Sequence, residues 1–596
     1  MLIAVAQTRP RKGDYEGNLG RIGAVLAQVG RWPEAPRLVV FPETAVTGYF
    51  LQGGTRDAAV TAGTLYRDLA LQHQATGGPA VDVCIGFYER FHDRVFNSAL
   101  YVSLGGNAPG IRHVHRKVFL PTYGLFDEER FVDAGSSVQA FDTAWGRVAV
   151  LVCEDAWHSM SATLAALDGA QLLLVPSASP ARGIAPAPGR LPNNMEAWER
   201  VMRRLAEEHG VYVVLAQLVG VEGGKAFQGR SLVVGPSGDV LAEAPPFEET
   251  IVQLRLDRRL LRRARYDQPL LADLEVTLPA LLRQSLERPP QPVRFDAPQG
   301  PPTPVMRPAQ ATLPVVGPLT PPDPLAIDPA LVERWLVTFL EEEVRGRRRF
   351  EKALVALSGG VDSAVTAALA ARALGPENVI GVRLPYRTSS AESLEHAEEI
   401  ARALGIGLET IDISAAVDGF YGEGAAPDAT RRGNVMARMR MIALFDLSTR
   451  LKALPLGTGN KSERLLGYFT WHGDDAPPVN PLGDLYKTQV YALARHLDLP
   501  ASVVEKAPTA DLVVGQTDER DLGISYERAD RILHGLLTGH DVEELRVQGF
   551  TPPEIQLVRG RLEGTHWKRQ LPTVAVLSST TIGESYLRPV DFGKQG

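Results

Sequence analysis

The stretch Leu354-Val355-Ala356-Leu357-Ser358-Gly359-Gly360-Val361-Asp362-Ser363 decides how the second half of the chain folds. Apolar residues run into a tight turn of small ones, and the Ala-rich segment 364–374 reads as the helix that follows. Gly359 and Gly360 let the backbone fold closely round a phosphate. The N–H groups at the helix start, with Ser358 and Ser363, present a ring of donors to an anion. Asp362 puts a carboxylate beside those phosphates, where a magnesium ion belongs. A Walker-type loop is excluded because it needs a Gly-Lys-Ser/Thr ending. Gly457-Thr458-Gly459-Asn460-Lys461-Ser462 imitates that ending but has Asn where the last glycine belongs.

The chain around this stretch is 596 residues long, too long for a single core, and its 44% hydrophobic and 22% charged residues are those of a globular protein. A net charge of -7 argues against a dedicated nucleic-acid binder. Cys84 and Cys153 are too few for a disulfide framework, and no apolar run is long enough to span a bilayer. Residues 2–6 read as a first strand rather than a leader, so cytoplasmic residence is expected, with neither membrane nor nucleic acid as partner. Short β-rich runs alternate with helical ones over residues 1–282, among them 38–41, 83–87, 148–152, 172–175 and 211–215, with an amphipathic helix over 196–208. Proline and glycine dominate from about 286, and a linker is expected over 283–325. The α/β rhythm then resumes over 326–596.

Three reactive side chains in the first half follow expected strands, where α/β sheets build sites. Glu43 follows Val39-Val40-Phe41-Pro42, Lys117 ends His113-Val114-His115-Arg116-Lys117, and Cys153 follows Ala149-Val150-Leu151-Val152. A thiol, a carboxylate and an ammonium are what amide cleavage through a thioester requires. The carboxylate takes the thiol proton, the thiolate attacks, and the ammonium steadies the oxyanion and helps to lower the thiol pKa.

Phe41-Pro42-Glu43, His115-Arg116-Lys117-Val118-Phe119-Leu120-Pro121 and Val152-Cys153-Glu154-Asp155 resemble, in order, the glutamate, lysine and cysteine segments of the nitrilase superfamily. That resemblance implies an α-β-β-α sandwich. Pro121-Thr122-Tyr123-Gly124-Leu125-Phe126-Asp127-Glu128 is similar to the glutaminase domains joined to NAD synthetases, which implies that Tyr123 and Ser179 hold glutamine. An arginine that those domains place a few residues after the serine has no counterpart at the same offset, although Arg182 is near.

The stretch quoted first resembles the loop of ATP pyrophosphatases, which cleave ATP between the α and β phosphates. Downstream come Arg432-Gly433-Asn434-Val435-Met436-Ala437-Arg438, the 457–463 segment, Asn480-Pro481-Leu482-Gly483-Asp484-Leu485-Tyr486-Lys487 and Pro508-Thr509-Ala510-Asp511. In this order they look like NAD synthetase, on a Rossmann-like, doubly wound α/β domain. The resemblance implies ATP contacts from Ser358, Gly359, Gly360, Val361, Asp362, Ser363, Thr458, Lys487 and Thr509. It implies Mg2+ on Asp362 and Glu463, and deamido-NAD contacts from Asn434, Arg438, Glu463 and Lys568. Ammonia-using relatives carry a lysine where this chain has Trp471 and an aspartate where it has Pro478.

Together the halves resemble the glutamine-dependent NAD(+) synthetases. L-glutamine, ATP and deamido-NAD are then the substrates, ammonia passes inside the protein, and the chain forms a homo-oligomer. Two alternatives stand beside this: an ammonia-dependent synthetase whose first half is not a glutaminase, and another ATP-pyrophosphatase amidotransferase.

Overall fold

A computed structural model describes residues 1–51, 54–185, 192–287, 323–422, 427–508 and 517–570. Among the described residues of the first half, fourteen strands are found: β1 (Leu2–Gln7), β2 (Leu38–Val40), β3 (Val81–Phe91), β4 (Arg94–Leu104), β5 (Gly110–Arg116), β6 (Ala140–Asp142), β7 (Arg147–Val150), β8 (Leu172–Ser177), β9 (Tyr212–Gln217), β10 (Val219–Glu222), β11 (Lys225–Gln228), β12 (Leu232–Val234), β13 (Val240–Glu243) and β14 (Thr250–Arg255). Two six-stranded sheets result, in the orders β14-β1-β2-β3-β4-β5 and β13-β12-β9-β8-β7-β6, while β10 and β11 form a separate two-stranded ribbon that Phe227 bridges to Pro180.

Alternation along β1 explains the layering. Ile3 and Val5 join a core with Val148, Leu172 and Val214 of the facing sheet, whereas Ala4 and Ala6 pack with Leu19, Ile22 and Leu26 of the helix Tyr15–Gly30. The second sheet carries the helix Asn193–His209 on its outer face through Trp198 and Met202. Helix, sheet, sheet, helix is the sandwich expected from the motifs.

In the second half β15 (Lys352–Ala356), β16 (Val379–Arg383), β17 (Gly407–Thr410) and β18 (Ala453–Leu456) form a parallel sheet in the order β17-β16-β15-β18. The order reverses between β15 and β18, and such a switch point opens a crevice at the carboxyl ends of the strands. The helix Val361–Leu374 lies close on this sheet because Ala364, Ala367, Ala368 and Ala370 present almost no side chain to hold it off. Of the expected linker, 283–287 end the helix Leu270–Glu287, 288–322 lie outside the described residues, and Asp328 caps the helix Pro329–Glu341. No helix among the described residues is long and apolar enough to cross a membrane.

Candidate active sites

Glu43 and Lys117 leave the ends of β2 and β5 in one sheet, and Cys153 leaves β7 in the other, so the first site lies between facing sheets. Lys117 Nζ donates to Glu43 Oε1 at 2.9 Å and to Glu128 Oε1 at 2.8 Å, and all three residues are buried. Asn97 Nδ2 donates to Glu43 Oε1 at 2.7 Å, and the Ala178 N–H donates to Glu43 Oε2 at 2.7 Å. One residue earlier, Ser177 Oγ donates to Cys153 Sγ at 3.3 Å. The end of β8 thus holds both the carboxylate and the thiol. Gly86 makes room for the Glu43 segment, since a Cβ there would stand 2.4 Å from Glu43 Cα.

Cys153 has φ of 49°, a left-handed conformation that an L-residue keeps only where its surroundings impose it, commonly at functional sites. Asp155 imposes it. Its Oδ1 accepts from the Val118 and Phe119 N–H groups at 2.9 and 3.0 Å, its Oδ2 from the Val152 N–H at 3.1 Å, and His115 Nε2 lies 2.8 Å from Oδ2. One carboxylate therefore ties the turn carrying the thiol to the strand end carrying Lys117.

Burial, and next the charge of Glu43, push the Cys153 thiol well above its ordinary value. Lys117 and the bond from Ser177 pull the other way and lose. The expected lowering by Lys117 is real but outweighed, so the resting group is a thiol and needs a base. Burial also works against the charge on Lys117, but Glu128 and Glu43 overcome it and hold the ammonium firmly protonated. Glu128 is itself pushed up by burial, against the pull of Lys117.

Tyr123 is half-exposed and donates to Glu154 Oε1 at 2.9 Å, and burial raises its hydroxyl pKa to about 12. Ser179 is buried, its N–H directed at Gln217 Oε1 3.3 Å away. Tyr49, Phe50, Phe126 and Phe227 form an apolar cluster, and the Tyr123 ring meets Phe126 edge-on at 5.9 Å between centroids. Asn97, Glu128 and Asp155 are site residues that sequence reasoning left without a role.

The second site is a cavity of about 420 Å³ at the switch point, lined by Ser358, Gly360, Val361, Asp362, Ser363, Thr458, Glu463, Lys487 and Lys568 among others. Gly359 stands behind it with φ of 74°, and a Cβ there would meet the Ser393 carbonyl oxygen at 2.3 Å, so only glycine fits. Gly360 starts the helix Val361–Leu374 without a side-chain cap, which leaves its first N–H groups for an anion. Lys487 Nζ lies 2.5 Å from Asp362 Oδ2 and 3.3 Å from Glu463 Oε1. Burial disfavours the Lys487 charge, but Asp362 and Glu463 outweigh it and keep it protonated; Glu463 is pushed up by burial.

Two converging, partly buried carboxylates offer hard oxygen ligands and already hold one cationic group between them. They suit Mg2+, with phosphate and water as further ligands. Asn434 and Arg438 stand beside the cavity rather than lining it. Thr470 Oγ1 donates to Asn434 Oδ1 at 3.4 Å, and Arg438 Nη2 donates to the Trp471 carbonyl at 2.9 Å. Lys568 Nζ donates to the carbonyls of Gly467 and Phe469 at 2.9 and 3.0 Å. Arg440 and Asp518 also line the cavity; the sequence offered Arg440 only as one of the arginines of a basic helix and gave Asp518 no role. Thr509 lies outside the described residues.

Sheet order and side-chain constellations define the class: an amidohydrolase of the nitrilase type joined to a nucleotide-binding half of the ATP-pyrophosphatase type. A family model described as "Carbon-nitrogen hydrolase" matches residues 2–266, and one described as "NAD synthase" matches 332–572. The glutamine-dependent NAD(+) synthetase of Thermotoga maritima is 32% identical over 607 residues, covering 99% of this chain and 98% of that protein. The NH(3)-dependent NAD(+) synthetase of Chlorobaculum tepidum is 48% identical over 265 residues, 44% of this chain and 95% of that one. The structure of the glutamine-dependent NAD+ synthetase from Acinetobacter baumannii in complex with ADP covers 97% of this chain and 95% of its own, at TM-score 0.66 and 24% identity, and shows the same fold. The chain belongs to the glutamine-dependent NAD(+) synthetase family.

Proposed function

We propose that residues 1–282 release ammonia from L-glutamine and that residues 326–596, joined through 283–325, use it to amidate deamido-NAD. Glu43 takes the Cys153 proton, and the thiolate attacks the side-chain amide carbon. Lys117 stabilises the oxyanion, and Glu43 returns the proton as ammonia leaves. Water then cleaves the thioester to glutamate. Tyr123 and Ser179 contact glutamine.

In the second half ATP lies against Ser358, Gly359, Gly360, Val361, Asp362, Ser363, Thr458, Lys487 and Thr509. Asn434, Arg438, Glu463 and Lys568 orient deamido-NAD so that its nicotinate carboxylate meets the α-phosphate. Pyrophosphate leaves, ammonia attacks the acyl adenylate, and NAD and AMP form. Asp362 and Glu463 would hold Mg2+, which would supply neutralisation of phosphate charge there.

The observation that carries this reading is the buried contact of Lys117 with both Glu43 and Glu128, sharing one strand end with the Cys153 thiol. Two buried, unpaired cysteines support the cytoplasm as compartment. The exposed Ile442 and Phe445, three apart on the helix Ala429–Leu451, support a homo-oligomer. The test is NAD and AMP formation from ATP, magnesium and deamido-NAD with glutamine or ammonium as the only nitrogen source. Activity with ammonium but not with glutamine would overturn the glutaminase half of the reading, and activity with neither would overturn the synthetase half.

A further inference from the structure

The β10–β11 hairpin belongs to neither sheet of the sandwich, and a two-stranded ribbon is barely stable by itself, so its neighbours hold it in place. On one side it carries Glu222, 6% exposed, whose carboxylate accepts from the Tyr49 N–H at 3.0 and 3.1 Å and from the Phe50 N–H at 2.8 Å. Tyr49 and Phe50 end the segment that begins at Glu43. The Tyr49 hydroxyl donates to Glu128 Oε1, the same oxygen that accepts from Lys117 Nζ at 2.8 Å. The hairpin is thus linked to the oxyanion-stabilising ammonium through Glu222, Tyr49 and Glu128.

Its other side meets the second half of the chain. The tip, Gly223-Gly224, lies against Arg347 and Phe339, and a Cβ on either glycine would sit 3.9 Å from Arg347 Nη1 or from the Phe339 ring. Phe339 is in the helix Pro329–Glu341, and Arg347 ends the π-helical turn Glu342–Arg347 that continues it; such turns are rare and frequent at functional sites. Arg347 Nη1 pairs with the buried Glu343 at 3.5 Å, and Arg9 crosses to Glu342 at 3.3 Å. Lys12, Lys225 and Arg347 surround Glu222 and Glu343, so the hairpin sits in a charge cluster drawn from both halves.

We propose that this hairpin is the strut through which the second half of the chain sets the geometry of the amide-cleaving centre. Glu222 is the positioning residue, and Arg347 is the group from the other half that seats it. The inference rests on the glutaminase reading of Cys153, Glu43 and Lys117. Displacement of a reacting group by about 1 Å costs about a hundredfold in rate, so a loosened strut shows in turnover before it shows in stability.

The experiment compares R347A, R347K and E222Q with the wild type in the full-length enzyme. Three quantities are measured: kcat and KM for glutamate release, NAD synthesis from saturating ammonium, and the unfolding midpoint. R347A is expected to lower kcat for glutamine about tenfold, with KM within about twofold and ammonium-driven synthesis unchanged; R347K recovers most of the loss, and E222Q loses about a hundredfold. An R347A enzyme with wild-type glutamine turnover, or one that loses both activities equally, overturns the inference, whether or not E222Q folds. A wild type that releases no glutamate overturns the reading of the centre and takes the inference with it.

Discussion

Lys117 in the first half and Lys487 in the second each lie between two carboxylates, at 2.9 and 2.8 Å from Glu43 and Glu128 and at 2.5 and 3.3 Å from Asp362 and Glu463. The resemblance ends with the other partners of those carboxylates. Glu43 is held by Asn97 and the Ala178 N–H, and Glu128 by the Tyr49 hydroxyl, all groups of the surrounding sandwich. Asp362 and Glu463 accept from the Asn460 side chain and backbone N–H at 3.0 and 3.3 Å, but they stand partly exposed at helix starts facing a cavity, where an incoming cation can displace the Lys487 ammonium. A cluster closed off inside the sandwich suits a centre in which only a proton moves. One that opens onto solvent suits a centre whose cation arrives with the substrate.

The comparison breaks first at the chemistry. C153A removes the proposed nucleophile and is expected to lower glutamine-driven NAD synthesis by about 10⁴-fold or more, while ammonium still supports it at the wild-type rate. Initial rates with each nitrogen source decide this, and equal loss of both would mean that the two centres are not separable. D362A is expected to abolish synthesis from either source, with glutamate release persisting. K117M strikes both function and stability. It leaves two buried carboxylates unpaired and is expected to cost about 3–5 kcal/mol in denaturant unfolding, with no measurable glutaminase.

E128Q probes the rigid cluster more gently. It removes one charge facing Lys117 but keeps the shape, and a loss of about ten- to a hundredfold in glutamine kcat is expected. The pH dependence of stability carries the sign. Burial raises the folded pKa of Glu128 above 4.5. The folded state therefore binds that proton more tightly than the unfolded one. The contribution is complete below 4.5 and is lost as pH rises through the raised value, so E128Q should flatten the fall in unfolding midpoint over that window.

Residues that sit next to their own strand ends were legible in the sequence. Glu43, Cys153 and the 358–363 loop each follow an apolar run and Lys117 follows an expected strand, so the chain itself delivers them to a sheet edge. Glu128 was not legible as a site residue. It lies among Asp127, Glu129 and Arg130, a pattern that reads as a solvated face, and only the packing of Tyr49 and Lys117 buries it. The same holds for strand ends that polar residues disguise. Residues 83–87 read as a strand, whereas β3 continues to Phe91 because Arg116 and Ser98 pair with the buried Glu89. Asp518 reaches its cavity from a short helix with no motif at all. Local pattern predicts what the backbone presents, and side chains recruited across the fold escape it.

The smallest effect is expected at Trp471, and it sharpens the contrast at its exchangeable end. Its carbonyl accepts from Arg438, and its ring packs edge-on against Trp567 at 5.4 Å between centroids. W471A keeps the carbonyl but removes the ring, so Arg438 retains its anchor while the loop loses an aromatic contact of about 1 kcal/mol. That corresponds to about a fivefold rise in KM for deamido-NAD, with KM for ATP and glutamate release both unchanged. Initial rates at saturating ATP measure it. If KM for ATP rose in step, the loop would be serving the whole cavity, and the assignment of Asn434 and Arg438 to the dinucleotide alone would fall.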